Sequence, residues 1–116
     1  MSELTIYHNP RCSKSRQTLA LIEDAGAPVT VVEYLQTPPS AARLKELLRL
    51  LGLSPRELMR VKEAAYKELG LDDASLADSA LINAMTEHPI LIERPIVATE
   101  QRAVLGRPPE NVLALL

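Results

Sequence analysis

The amino-acid sequence predicts an α/β protein in which a run of helices interrupts the strands. Strand, helix and strand patterns follow one another within about the first 35 residues. The central third carries apolar residues at helical spacing, and strand-like runs return only after His88. A length of 116 residues suits one domain. We therefore expect a single domain over residues 1–116, with a helical insertion at about 38–88.

The first three elements are predicted to form a βαβ unit. Residues 4–7 alternate and are rich in strand formers. Helical spacing of apolar residues follows over 13–25, and Gly26 is a natural helix stop. Residues 29–34 are β-branched and predict a second strand. Two strands joined in this way are expected to have a right-handed crossover.

The insertion begins with a proline-containing break and continues as helices. Ser40 is a plausible N-cap for a helix whose leucines repeat at helical spacing up to Gly52. Ser54 and Pro55 open a second helix, because proline is favoured in the first turn. Further short helices are expected around residues 64–69 and 78–87.

The last part of the chain returns to strand-like patterns. Short apolar runs predict strands over residues 90–92, 96–98 and 103–105. Two prolines then precede a predicted terminal helix over 110–116.

Composition excludes several classes of protein. A net charge of −2 gives no general attraction to nucleic acid or to an anionic membrane. A single cysteine excludes an internal disulfide framework. No apolar stretch reaches membrane-spanning length, and the first residues lack a signal-peptide pattern. We therefore expect a cytoplasmic protein that binds neither nucleic acid nor membrane.

The single cysteine, Cys12, lies where the first strand gives way to the first helix. A helix N-terminus presents unpaired N–H groups and the positive end of the helix dipole, which favour a thiolate. The neighbours His8, Arg11, Lys14 and Arg16 do not suit an apolar pocket, as a merely structural buried cysteine would require. Cys12 is therefore predicted to be a reactive nucleophile.

Three familiar kinds of cysteine site do not fit. A tyrosine-phosphatase loop needs arginine six residues after the cysteine, where this chain has Thr18. A dithiol oxidoreductase needs a second cysteine where this chain has Ser15. One cysteine and two histidines do not easily supply a metal site, since His8 and His88 lie far apart in sequence, so we expect no metal. The remaining interpretation is that Cys12 is a nucleophile that acts without a second cysteine. The thiol that resolves it then comes from another molecule.

Three polar residues near Cys12 each allow two interpretations. His8 either tunes the thiol or is a surface imidazole at the end of a strand. Ser13 and Ser15 either donate hydrogen bonds to the thiolate or a bound anion, or cap the helix. Capping is the preferred interpretation of Ser13.

Arg60, Arg94 and Arg107 are, taken one at a time, ordinary solvated charges. Arg94 is the least usual, because it stands between two apolar runs. The bond between Arg94 and Pro95 is also a candidate cis peptide, although only about 5–6% of such bonds are cis.

Six segments, in the same order along the chain, resemble the glutaredoxin-dependent arsenate reductase family. They are HNPRCSKSR at residues 8–16, YLQTPP at 34–39, ELMR at 57–60, YKELGL at 66–71, HPILIERPIV at 88–97 and GRPPE at 106–110. The resemblance therefore extends from the first predicted strand to the last predicted helix.

The resemblance implies a thioredoxin-like mixed sheet flanked by helices, with an inserted helical subdomain. It implies that Cys12 is the catalytic cysteine and that His8 and Ser15 act beside it. It implies that a cis-proline, matching Pro95, faces the cysteine. The oxyanion ligands that it implies are Arg60, Arg94 and Arg107.

The resemblance also implies the reaction partners. The substrate is expected to be arsenate or a similar oxyanion, glutathione a co-substrate, and glutaredoxin the protein that regenerates the thiol. We expect no bound cofactor and a monomeric protein.

One departure from the family pattern concerns the residues after the cysteine. The best-studied arsenate reductases carry Gly-Thr there, whereas this chain has Ser13-Lys14 and resembles a subgroup with Cys-Ser-Lys-Ser. Two alternatives to arsenate reduction stay open on the sequence. One is a glutathione-linked thiol reductase with another substrate; the other is a non-enzymatic, RNA-polymerase-binding regulator of the same fold.

Overall fold

The computed structural model describes residues 3–116, which form two compact units. The first unit combines the residues up to Thr37 with Arg94–Leu116, and the second is Pro38–Glu93. No helix in residues 3–116 is long and apolar enough to span a bilayer.

The first unit is built on a four-stranded mixed sheet. Its strands are β1 (Leu4–His8), β2 (Val29–Glu33), β3 (Ile96–Ala98) and β4 (Ala103–Leu105), in the order β2-β1-β3-β4. β1 pairs with β2 in parallel, and β3 is antiparallel to both β1 and β4. Helix α1 (Ser13–Asp24) connects β1 to β2. The α/β class and the predicted βαβ unit are confirmed.

The core of this unit lies between the sheet and the segments that cover it. Leu4 and Ile6 of β1 are buried in one cluster with Ile22 of α1 and Val112 near the C-terminus. Successive residues of a strand point to opposite faces, so His8 shares the face of Leu4 and Ile6. The end of β1 therefore presents a histidine to the side of the sheet that α1 covers.

The second unit is helical. It contains α2 (Ala41–Leu51), α3 (Pro55–Leu58), α4 (Ala64–Glu68) and α5 (Asp78–Glu87). The predicted caps are confirmed, because Ser40 accepts a hydrogen bond from the Arg43 backbone and Ser54 forms a capping box with Glu57. The core of this unit is a set of buried side chains that includes Leu44, Leu47, Leu58, Tyr66, Met85 and Leu91.

The strand predicted over residues 90–92 is wrong. Pro89–Leu91 is a 3₁₀ turn, and only Ile92 pairs with another segment, at Met59. Ile90 is exposed whereas Leu91 and Ile92 are buried, so the run does not alternate as a half-buried strand would. A short apolar run does not by its pattern distinguish a strand from a helical turn.

The predicted terminal helix is a 3₁₀ helix, Pro109–Leu115, instead of an α-helix. A 3₁₀ helix has three residues per turn, so residues three apart share a face. Pro109, Val112 and Leu115 have this spacing and are the residues withdrawn from solvent. Because the residues withdrawn from solvent are three apart, they lie on one face of a 3₁₀ helix, and this favours the tighter helix.

Candidate active site

Cys12 is the N-cap residue of α1, and its side chain is partly exposed. An N-cap side chain points at the free N–H groups of the first helical turn, where the helix dipole stabilises negative charge. The structure gives α1 no side-chain cap, and Ser13 is its first helical residue. The expectation that Ser13 caps the helix is therefore wrong, because the helix begins at Ser13 itself, one residue earlier than a cap at Ser13 requires.

The loop before Cys12 is held by hydrogen bonds to its own residues and to α1. The side-chain oxygen of Asn9 accepts from the Arg11 N–H at 3.0 Å, and the Asn9 carbonyl accepts from the Cys12 N–H at 3.0 Å. Arg16 donates from Nη1 to the Pro10 carbonyl at 2.9 Å. These contacts fix the backbone that carries the thiol. Asn9 was not singled out by the sequence, although asparagine before proline is a turn signal.

His8 and Ser15 are brought together at the base of this loop. His8 is 6% exposed and Ser15 is fully buried. His8 Nδ1 lies 2.6 Å from Ser15 Oγ, and the same oxygen accepts from the Asn9 N–H at 3.0 Å. The surface interpretation of His8 is therefore wrong. Alternation along β1 was the available signal, because it places His8 on the face of Leu4 and Ile6.

Burial lowers the pKa of His8 from its ordinary value of 6.5, and this effect outweighs the opposing charge of Glu33 on the neighbouring strand. A neutral ring is thereby favoured. Its Nδ1 shares a hydrogen bond with the Ser15 hydroxyl, and the Ser15 oxygen also accepts from the Asn9 N–H. His8, Ser15 and Asn9 thus form one buried hydrogen-bonded chain from β1 to α1.

Arg94 and Arg107 belong to the same edge of the sheet as Cys12. Tyr7 pairs with Ile96, and Ile96 pairs with Leu105. The end of β1, the start of β3 and the end of β4 therefore lie side by side. The loop to Cys12 follows β1, Arg94 and Pro95 precede β3, and Arg107 follows β4.

The backbone around these arginines is closely packed. The Arg94–Pro95 bond is cis, at the position where the sequence predicts one, and the Arg107–Pro108 bond is also cis. Arg107 Nη1 donates to the Arg94 carbonyl at 3.4 Å, and the Gly106 N–H donates to the Pro95 carbonyl at 2.9 Å. Two segments 13 residues apart are thus joined at both arginines.

Gly106 is required by close packing. A Cβ placed on Gly106 would lie 2.7 Å from Pro95 Cγ and would overlap the side chain of Thr18. Thr18 is buried on α1, and its hydroxyl lies 3.4 Å from the Gly106 carbonyl. The helix that follows Cys12 therefore packs directly against Gly106, the residue before Arg107.

Arg60 belongs to the helical unit. Its Nη1 lies 2.6 Å from Glu63 Oε1 and its Nε lies 3.9 Å from Glu93 Oε1. Its guanidinium is thus paired with carboxylates within its own unit. Its predicted role at the oxyanion stays a prediction.

The chemistry available here is that of a thiol and guanidinium groups. Residues 3–116 contain no group of three or more His, Cys, Asp or Glu side chains that could hold a metal ion. A cleft of about 170 Å³ opens beside the loop, with His8, Arg11 and Glu33 among its lining residues. An anionic small molecule would find a partly exposed sulfur, a helix N-terminus and two arginines at one sheet edge.

The chain is similar to several known proteins over nearly its whole length. Residues 7–115 match the ArsC family. An uncharacterized protein of Escherichia coli (strain K12), YfgD, is 56% identical over 98% of this chain and 97% of its own length. An arsenate reductase of Neisseria meningitidis serogroup A is 52% identical over the full length of both chains. The solved structure of an arsenate reductase from Vibrio cholerae superposes with a TM-score of 0.95, at 55% identity, over 99% of this chain and 98% of that one.

Proposed function

This chain belongs to the ArsC family, and on that premise we propose that it reduces arsenate to arsenite through the thiolate of Cys12. Glutathione is the proposed electron donor, and glutaredoxin the proposed protein that returns Cys12 to the thiol. The observation that carries the proposal is the position of Cys12 at the N-cap of α1, on the sheet edge that also holds Arg94 and Arg107.

The first chemical step is attack on arsenic. The Cys12 thiolate forms an S–As bond, and one hydroxyl group of arsenate takes up a proton from solvent and leaves as water. Arsenic is still pentavalent in this covalent adduct. Positive charge is needed at this stage because a thiolate and an oxyanion repel each other.

The second step transfers two electrons to arsenic. The sulfur of glutathione attacks the Cys12 sulfur, an S–S bond forms, and the electron pair of the S–As bond stays on arsenic. The thiol proton goes to an oxygen of the departing arsenite, which is trivalent. A thiolate of glutaredoxin then attacks the glutathione sulfur of the mixed disulfide, and Cys12 leaves as the free thiol.

The arginines are proposed to bind the oxyanion and to stabilise charge in the transition state. Arg94 and Arg107 are supported by their shared sheet edge and by their mutual hydrogen bond. Arg60 is proposed as a third ligand from the sequence resemblance alone. A planar guanidinium suits this task, because it donates two parallel hydrogen bonds to one oxyanion.

His8 and Ser15 are proposed as positioning residues. Their mutual hydrogen bond and the bond from Asn9 hold the start of the loop on which Cys12 is carried. Displacement of an attacking atom by about 1 Å costs on the order of a hundredfold in rate, so a fixed loop has direct kinetic value.

The test is arsenate-dependent oxidation of NADPH, coupled through glutathione, glutaredoxin and glutathione reductase. Wild-type protein should turn over, and Cys12→Ser should retain less than about 1% of that rate with an unchanged circular dichroism spectrum. Arg94→Gln and Arg107→Gln should raise the KM for arsenate about tenfold or more each. Arg102→Gln is the matched control, because Arg102 is exposed and donates to the Ala114 carbonyl.

Substantial turnover by Cys12→Ser would remove this residue from the mechanism. A wild-type protein that reduces glutathione-mixed disulfides but not arsenate would instead favour a thiol reductase with another substrate. Capture of polymerase subunits, together with no turnover of either kind, would favour the regulatory alternative.

A further inference from the structure

Arg60 lies close to two carboxylates of its own unit. Glu63 Oε1 lies 2.6 Å from Arg60 Nη1, and Glu93 Oε1 lies 3.9 Å from Arg60 Nε. The side chains of Arg60 and Glu63 are 27% and 26% exposed. Both side chains are thus partly buried but still in contact with water.

The backbone holds these groups next to each other. The Arg60 N–H donates to the Leu91 carbonyl at 2.7 Å, and the Glu93 N–H donates to the Leu58 carbonyl at 2.8 Å. These bonds flank the bridge between Met59 and Ile92. The Glu63 N–H donates to the Arg60 carbonyl at 3.1 Å, which closes a turn that brings Glu63 back over Arg60.

Glu63 is also the N-cap residue of α4, yet its side chain makes no capping hydrogen bond. A carboxylate at the start of a helix is normally stabilised there by the free N–H groups. The Glu63 carboxylate lies against the Arg60 guanidinium instead.

We propose that Glu63 is an internal competitor for the oxyanion at Arg60 and so sets the affinity of the protein for its anionic substrate. The inference rests on the proposed function, in which Arg60 is an oxyanion ligand. A carboxylate and an oxyanion use the same donor face of a guanidinium, so an incoming oxyanion takes the place of Glu63.

The expected size of the effect follows from the exposure of the pair. Ion pairs that water still reaches are weak, and displacing one corresponds to about a two- to fivefold change in an equilibrium constant. Glu63→Gln keeps the length of the side chain and removes its charge. It should therefore lower the KM for arsenate about two- to fivefold and leave the KM for glutathione unchanged.

The matched control is Glu46→Gln. Glu46 pairs with Arg49 at 2.5 Å, with the same three-residue separation and in the same unit, but no oxyanion is proposed at Arg49. Its arsenate KM should equal that of the wild type. Calorimetric titration of arsenate into both variants, each also carrying Cys12→Ser, should give the same ranking without turnover.

The outcomes separate this inference from the proposed function. Wild-type turnover with an unchanged or raised KM in Glu63→Gln would overturn the inference and leave arsenate reduction standing. Absence of wild-type turnover would overturn the proposed function. Calorimetry with arsenate as the probe would still test whether Glu63 competes with the oxyanion for Arg60. Tighter arsenate binding by Glu63→Gln supports the competitor role; equal, weaker or undetectable binding overturns it.

Discussion

Replacement of Ser15 by alanine tests the hydrogen-bonded chain beneath Cys12 most directly. Ser15 is fully buried, and its hydroxyl serves both His8 Nδ1 at 2.6 Å and the Asn9 N–H at 3.0 Å. Alanine lacks the hydroxyl, so both His8 Nδ1 and the Asn9 N–H lose this hydrogen bond. No compensating apolar contact is gained, because the methyl group is smaller than the hydroxymethyl that it replaces.

The expected loss follows from the burial of the two groups. A buried polar group without a partner costs about 1–3 kcal/mol. The His8 ring is almost fully buried, whereas the Asn9 backbone is half-buried and closer to water. The sum is therefore about 2–4 kcal/mol. For 116 residues the unfolding entropy is about 0.24 kcal/mol/K, so the midpoint should fall by about 8–16 °C.

Circular dichroism in the far ultraviolet is the suitable assay, because the chain has no Trp and only three Tyr. Ser13→Ala is the matched control, since Ser13 is exposed and lies in the same first helical turn. Its midpoint should stay within about 2 °C of the wild type, as is usual for surface substitutions. A Ser15→Ala midpoint within about 4 °C of the wild type, or an equal fall in Ser13→Ala, would refute the reasoning.

Burial lowers the pKa of His8 in the folded protein. As the pH falls below 6.5, the unfolded chain therefore binds a proton at His8 before the folded protein does. The free energy of unfolding, measured in urea from about pH 7.5 to pH 5.5, should therefore decrease with acid, and His8→Asn should flatten this decrease. An unchanged pH slope in His8→Asn would contradict the assignment. Gly106→Ala should destabilise the fold by about 1–3 kcal/mol and raise the arsenate KM, because the added methyl group overlaps Thr18 and Pro95. Wild-type stability in urea for this variant would show that the packing around Gly106 is looser than the structure indicates.

Local patterns were sufficient for most elements of the fold. Ser40 and Ser54 were predicted as caps from residue type and spacing, because an N-cap depends only on the next three residues. Apolar residues at helical spacing predict the helix after Cys12, and this spacing is also a local pattern. Residues 90–92 were mispredicted as a strand, because their apolar pattern does not say whether a neighbouring segment is available for pairing.

The site was only partly accessible to sequence reasoning. The reactive cysteine follows from its place before a helix, which is a local property. Alternation along β1 indicates that His8 is buried, but its partner Ser15 lies seven residues away on another element, so the pattern of the strand does not identify that partner. Gly106 and Thr18 lie 88 residues apart, so no local pattern indicated their contact.

The sequence by itself determined that this protein has one cysteine at the start of a helix, no second thiol to resolve it, and the segments of the ArsC family. The tertiary structure decided which polar side chains are buried and which partner each of them has. It buried His8 against Ser15, joined Arg107 to Arg94, and placed the carboxylate of Glu63 on Arg60. The physical reason is that charge and hydrogen-bonding capacity belong to residue types, whereas burial and partnership arise only when distant segments pack together.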